Sequence, residues 1–349
     1  AMDRHETRQL FSFHVEPRTK GQSIGTTTSE LFDCDERIRL YQLTDLATQI
    51  AEIQGTTTPK FCVPHHLILA SDHGFFLSPG HQNSTFASIK WATEVARGQH
   101  FVNYLCRQHG FALRIANTGL AVTPSPALGI VNVSLGQGTQ HFYYGDAMTP
   151  EQLSRCIDSG RQLVTNIASQ GCNVLSIGLL AHGTRIPAAI WVEHLVGIPL
   201  EKSLSVERLE RWGNADLSLA HLKQHIESVQ ENIRTLPELM QHYGGFELVV
   251  AVAALLQAAE LRMTILIDSF PILAALYAAY TIAPSVTDYC ILTHIELLEG
   301  MEILAARLNI APVLRLGLSA SEGVGALEAY GIINSALHLL QIHTNGISR

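Results

Sequence analysis

Three short apolar runs constrain the fold of this chain more than any other feature. They are His66-Leu67-Ile68-Leu69-Ala70, Asn173–Leu180 and Met263–Asp268. Each is of strand length, and each gives way to small or polar residues: Ser71-Asp72-His73-Gly74, Ala181-His182-Gly183 and Asp268-Ser269. A strand that is apolar on both faces is buried on both faces, which is the habit of a parallel sheet between helices. Ala112–Ala116, ending at Asn117-Thr118-Gly119, reads as a further strand.

Helical segments stand between the strands. Leu40–Ile53 places Leu40, Leu43, Leu46, Ala47, Ile50 and Ile53 on one helical face. Phe86–Leu105, Thr149–Ser169, Pro237–His242 and Ser269–Ile282 are also read as helices. Glu247–Leu261 is apolar almost all round, so it is read as a buried helix. The alternation predicts an α/β fold, a mostly parallel sheet flanked by helices. Ligands in such sheets bind beyond the carboxyl ends of the strands. Asp72-His73, Asn117, His182-Gly183 and Asp268 fall at those ends and are expected to share a cleft. Arg18–Thr28 is polar and rich in Gly and Thr, so the first thirty residues are expected to form an arm or loose lead-in.

With 349 residues, 47% hydrophobic and 15% charged, the chain can bury a sizeable core and is not expected to be disordered. A formal charge of −8 argues against a surface built for nucleic acid, while leaving room for a local cationic pocket. Six scattered cysteines without a Cys-x-x-Cys pair fit free thiols in a reducing compartment. The first residues lack the cationic and apolar blocks of a signal peptide, and the longest apolar stretch is broken at Glu260 before it could span a bilayer. The expectation is a soluble cytoplasmic protein that engages neither membrane nor nucleic acid.

Several residues are candidates for chemistry. Ser321-Glu322-Gly323-Val324-Gly325-Ala326 sets a carboxylate beside glycines, which let a backbone approach a ligand closely; a turn before a helix is the other reading. Gly183-Thr184-Arg185 after a strand can cradle an anion with its amides and Arg185, or be an ordinary turn with a solvated arginine. Asp268 either orients a ligand or caps the helix that follows it, and His294 is either a ligand contact or a hydrogen-bonded core residue. The 17 histidines show no His-Glu-x-x-His spacing, so no metal site is assigned. Gly21-Gln22-Ser23-Ile24-Gly25 has no strand before it and is not read as a nucleophile elbow.

Taken in order, these motifs resemble the nicotinate-nucleotide:5,6-dimethylbenzimidazole phosphoribosyltransferase family, the CobT type. The resemblance is clearest at Gly244-Gly245-Phe246-Glu247-Leu248, Leu266-Ile267-Asp268-Ser269-Phe270, Pro284, Thr293-His294, Gly300 and Ser321–Ala326. It implies a Rossmann-like sheet (61–315) and a small helical domain drawn from the chain ends (1–60 and 316–349). It also implies a homodimer, and a reaction that needs no cofactor. In that reaction phosphoribose moves from nicotinate mononucleotide to an aromatic base, with inversion at the anomeric carbon. Glu322 then matches the catalytic base. The implied substrate contacts are Asp72, His73, Trp91, His182, Gly183, Thr184, Arg185, Gly244, Gly245, Asp268, His294, Gly323 and Gly325. Within that set Gly183–Arg185 would cradle the phosphate and Asp72-His73 the acceptor.

The chain departs from the family pattern at several positions. A second glutamate aligns with Leu179, an arginine with Ser319, and a phosphate-binding lysine falls near Ser218. A base-contacting glutamine falls at or near Trp91. A diverged phosphoribosyltransferase using this or a related donor is one reading. A non-catalytic paralogue that binds a ligand or partners an active subunit is the other.

Overall fold

The structure, a computed structural model, describes residues 4–19, 30–77 and 87–344. Its centre is one sheet of six parallel strands. These are β1 (His65–Ser71), β2 (Ala112–Gly119), β3 (Val131–Asn132), β4 (Val174–Leu180), β5 (Thr264–Ile267) and β6 (Cys290–Leu292). Their order is β3-β2-β1-β4-β5-β6. The chain therefore leaves β1 in one direction and returns at β4 in the other, which opens a crevice at the carboxyl ends of that central pair.

Every residue of β1 and of β4 is buried, because helices cover both faces. Leu67, Leu69, Leu175, Ile177 and Leu179 face one core with the Pro150–Ala168, Phe246–Glu260 and Phe270–Ile282 helices. Ile68, Ala70, Val174 and Leu180 face the other, with Tyr41–Gln54, Phe101–His109 and Val324–Thr344. The Phe246–Glu260 helix is buried from Phe246 through Ala259, as its all-round apolar composition predicts. Pro150–Ala168 begins at a reciprocal cap, in which Thr149 Oγ1 accepts from Gln152 N and Gln152 Oε1 from Thr149 N. Among the described residues no helix is long and apolar enough to cross a membrane.

Two expectations change. The segment read as one helix over Phe86–Leu105 contains two, Ile89–Ala96 and Phe101–His109, and Phe86 lies outside the described residues. The break falls at Gly98, whose φ of 78° is left-handed and ends a helix at little cost. The described part of the lead-in is also packed rather than loose. Phe11 is buried, Arg161 sits over the Phe13 ring at 3.9 Å, and Tyr289 donates to the Glu16 carbonyl at 2.6 Å. Gly21–Gly25 lies outside the described residues.

Candidate active site

At the central pair the strand register decides what meets what. His66 of β1 lies beside Ser176 of β4, on the face covered by the Val324–Thr344 helix. Ser176 Oγ and His66 Nδ1 are 2.5 Å apart, and His66 Nε2 lies 2.6 Å from the Glu322 carbonyl oxygen. A carbonyl only accepts, so Nε2 carries the proton and Nδ1 accepts from the serine. Burial lowers the His66 pKa to about 4, so the ring is neutral and keeps that tautomer.

The same carboxyl end fixes Ser321–Gly323. Leu179 N donates to the Ser321 carbonyl at 2.7 Å, and Ser321 Oγ donates to the Leu179 carbonyl at 2.9 Å. Gly178 permits this approach: a Cβ there would stand 2.2 Å from the Glu322 carbonyl oxygen. Gly323 has a φ of 113°, and a Cβ on it would meet the His66 ring at 2.1 Å. From the tip of β5, Asp268 Oδ2 accepts from Gly325 N at 3.0 Å and Ala326 N at 3.4 Å. Asp268 thus caps a helix, but the Val324–Thr344 helix rather than the one that follows it in sequence.

The product of these anchors is a half-buried Glu322 side chain on an immobilised loop. Burial raises its pKa above the usual carboxylate range. Its own amide and that of Ser321, with the charges of His100 and Arg185, pull the other way. Burial, then the neighbouring Glu322, raises Asp268 further, well above the usual range.

Glu322 faces a recess of 190 Å³ lined also by Trp91, His182, Gly183, Thr184, Arg185 and Arg208. Trp91 and His182 form an aromatic wall, with ring centroids 5.3 Å apart. Arg185, Arg208, Trp212 and Ser319 belong both to this recess and to an adjoining one of 290 Å³. The sequence-predicted residues Glu322, Trp91, His182, Gly183, Thr184 and Arg185 are therefore brought together.

The remainder are not on the recess. Asp72 is buried, and its carboxylate accepts from Ser88 N and Ala121 N, each at 2.7 Å, stapling the segments after β1 and β2. His73 is sealed in a hydrogen bond from its Nε2 to Glu247 Oε1 at 2.6 Å, with both side chains fully buried. Asp72-His73 therefore does not present itself as an acceptor surface. Gly244 and Gly245 pack against Ala147 and His73. His294 Nε2 accepts from Leu316 N and Leu318 N and so holds the 314–318 segment, while Gly325 packs against His294 and Asp268. Gly323 shapes the loop from behind.

Arg185 also needs correction. It is neither solvated nor free to face an anion, because its guanidinium grips Glu296, with Nη2 2.7 Å from Oε1 and Nη1 3.1 Å from Oε2. Glu296 Oε2 further accepts from Phe270 N at 2.6 Å. Sequence reasoning missed Arg208, on the six-residue Val206–Arg211 helix, which donates to the Ser319 hydroxyl. The signal was slight: a Ser205 cap and one buried anchor, Leu209.

Comparison with known proteins follows this geometry. A family model described as a phosphoribosyltransferase matches residues 37–345. The nicotinate-nucleotide--dimethylbenzimidazole phosphoribosyltransferase of Phocaeicola vulgatus is 33% identical over 304 residues, covering 85% of this chain and 86% of its own. That of Bacteroides fragilis is 35% identical over 305 residues, again covering 85% and 86%. The crystal structure of the like-named enzyme from Thermus thermophilus superposes with a TM-score of 0.80 over 92% of this chain and 96% of its own. At 23% identity that likeness speaks for the fold.

Proposed function

The chain belongs to the phosphoribosyltransferase family to which those relatives belong, and from that premise we propose that it transfers phosphoribose from nicotinate mononucleotide to an aromatic base with Glu322 as general base. The observation that carries the assignment of the base is the Glu322 carboxylate itself. It is half-buried, its pKa is raised by burial, and it borders the recess that Trp91, His182, Arg185 and Arg208 also line.

The acceptor ring lies against Trp91 and His182, with its N–H toward Glu322. As the other ring nitrogen attacks the anomeric carbon, the carboxylate takes the N–H proton. The bond to the pyridinium nitrogen breaks, its electron pair stays on that nitrogen, and nicotinate departs with a neutral ring. Burial raises the Glu322 pKa, which strengthens the carboxylate as a base once it is deprotonated. The Gly183–Arg185 turn opens the twelve-residue Arg185–Val196 helix onto the recess and supplies main-chain amides to the ribose phosphate end. The reading includes the homodimer that the resemblance implies, which sedimentation checks.

The test is turnover of nicotinate mononucleotide and 5,6-dimethylbenzimidazole by wild type and Glu322→Gln. Loss of a positioned general base lowers kcat by about 10²- to 10⁴-fold. In wild type the acid limb of kcat/KM should lie above the ordinary glutamate pKa of about 4.3, because the raised carboxyl must be deprotonated to act. The amide variant should lose that limb. A variant that matches wild type removes Glu322 from the base role.

A further inference from the structure

The cation that meets the donor's phosphate must come from the residues facing the two adjoining recesses, and their charges do not all count equally. Arg185 and Glu296 neutralise one another in a buried ion pair, in which Nη1 donates to Oε2. Glu207 and Arg211, both bordering the outer recess, are of opposite charge and exposed. Arg208 remains. It is half-buried, borders both recesses, and among the described residues no carboxylate lies within ion-pair distance of it. Its one side-chain partner, the Ser319 hydroxyl, carries no charge.

We propose that Arg208 is the residue that binds the phosphate of the donor nucleotide, with the Ser319 hydroxyl holding its guanidinium in place. The proposal rests on the phosphoribosyltransferase reading above and adds the determinant of donor recognition. Three observations support it besides the lack of a carboxylate within ion-pair distance. Arg208 and Glu322 border the same 190 Å³ recess, so one molecule can reach both. Ser203 lines the outer recess, is 2% exposed, and its hydroxyl has no hydrogen-bond partner. Burial and then the like charge of Arg185 lower the pKa of Arg208, against the weaker opposing pull of Glu296, so the guanidinium sits where an incoming dianion is favourable.

The location explains how the chain accommodates its departures from the family pattern. The resemblance places an arginine of the family at Ser319, and in this structure the guanidinium of Arg208, from a different element, donates to the Ser319 hydroxyl. A planar fork of donors suits a phosphate's oxygens better than a point charge does. Arg208 is half-buried on a short helix that Leu209 anchors and is not itself a core residue, so its replacement does not open the core.

The experiment compares wild type, Arg208→Ala and Arg208→Lys with three probes: nicotinate mononucleotide, its phosphate-free riboside, and inorganic phosphate. Loss of a charged hydrogen-bonding group should weaken mononucleotide binding by about 10- to 150-fold in Arg208→Ala. Riboside binding should be unchanged, and inorganic phosphate should cease to stabilise the fold against heat. Arg208→Lys should recover part of the mononucleotide affinity. Equal weakening of riboside and mononucleotide overturns the proposal, as does an unchanged mononucleotide affinity. Phosphate binding that depends on Arg208, without turnover of the mononucleotide by wild type, would sink the donor assignment while leaving the anion site standing.

Discussion

The two sides of the cleft are built on opposite plans. On the carboxylate side, Ser321–Ala326 is tied by main-chain and side-chain bonds to β1, β4 and the tip of β5, and the anchoring groups are buried. On the cationic side, Arg208 extends from a six-residue helix and is steadied by one hydroxyl. Proton transfer demands placement within a few tenths of an ångström, whereas a cation acts on a phosphate over a longer range. On the proposed roles, rigidity is concentrated where bonds would change, and adaptability where charge would be recognised.

The comparison makes Arg185 a strut at the root of the cationic side, and Arg208 its recognising tip. Removing Arg185 leaves Glu296 buried and uncompensated, which should cost about 3–5 kcal/mol of stability by urea denaturation of Arg185→Ala. Replacing both members by apolar residues of similar volume should recover much of that loss, because no charge is then stranded. Phosphate affinity should change less than in Arg208→Ala. A variant of wild-type stability that no longer binds phosphate would reverse the two roles.

The carboxylate side carries a pH signature. His66 has a pKa of about 4 in the fold, against 6.5 in the unfolded chain. Below pH 6.5 the unfolded state therefore binds a proton that the native state refuses, and stability falls as pH falls, by about 1.4 kcal/mol per unit. The loss from this residue should reach about 3 kcal/mol near pH 4 and then level off. His66→Gln should begin less stable at pH 7, since the Ser176–His66–Glu322 chain is broken, but lose less on acidification. Parallel denaturation curves at pH 7 and pH 4.5 for the two proteins would contradict the assignment of a neutral ring.

A methyl group tests the rigidity itself. In Gly178→Ala the new Cβ would stand 2.2 Å from the Glu322 carbonyl oxygen, so loop or strand must shift. A displacement near 1 Å at a reacting group costs about 10²-fold in rate. The expected result is a kcat lowered by about that factor, with the apparent KM for nicotinate mononucleotide moved less, because Arg208 stands on a separate element, the Val206–Arg211 helix. A KM effect larger than the kcat effect would show that the two sides are mechanically coupled.

What could be read in the sequence follows from the range over which each signal acts. β1 and β4 were legible because burial on both faces writes an uninterrupted apolar run. Glu322, His182 and the Gly183–Arg185 turn stood out because glycines and strand ends mark them locally, whereas Trp91 came only from the family resemblance. The break at Gly98 was not legible, since the apolar spacing continues on both sides of it. The roles of His66 and Asp268 were also hidden, because their partners at Glu322, Gly325 and Ala326 lie far along the chain. Arg185 shows the same limit: nothing near it in sequence announces Glu296. Arg208 was hidden for the converse reason, since its helix is short, polar and remote in sequence from Ser319.

The smallest effect belongs to Ser319, and it bears on how little the cationic side needs to be fixed. Its hydroxyl accepts from Arg208 and selects one arrangement of a side chain that otherwise has many. Ser319→Ala removes that selection and leaves the charge in place, so the loss should be near 1 kcal/mol, about fivefold in KM for nicotinate mononucleotide, with kcat unchanged. The riboside should show no change, because it has no phosphate for Arg208 to meet. Combining Ser319→Ala with Arg208→Ala should cost no more than Arg208→Ala alone, since a hydroxyl that acts through the guanidinium has nothing to act on once the guanidinium is gone. Additive losses would mean that Ser319 touches the donor directly, and the cationic side would then share the multiple anchoring that distinguishes the carboxylate side.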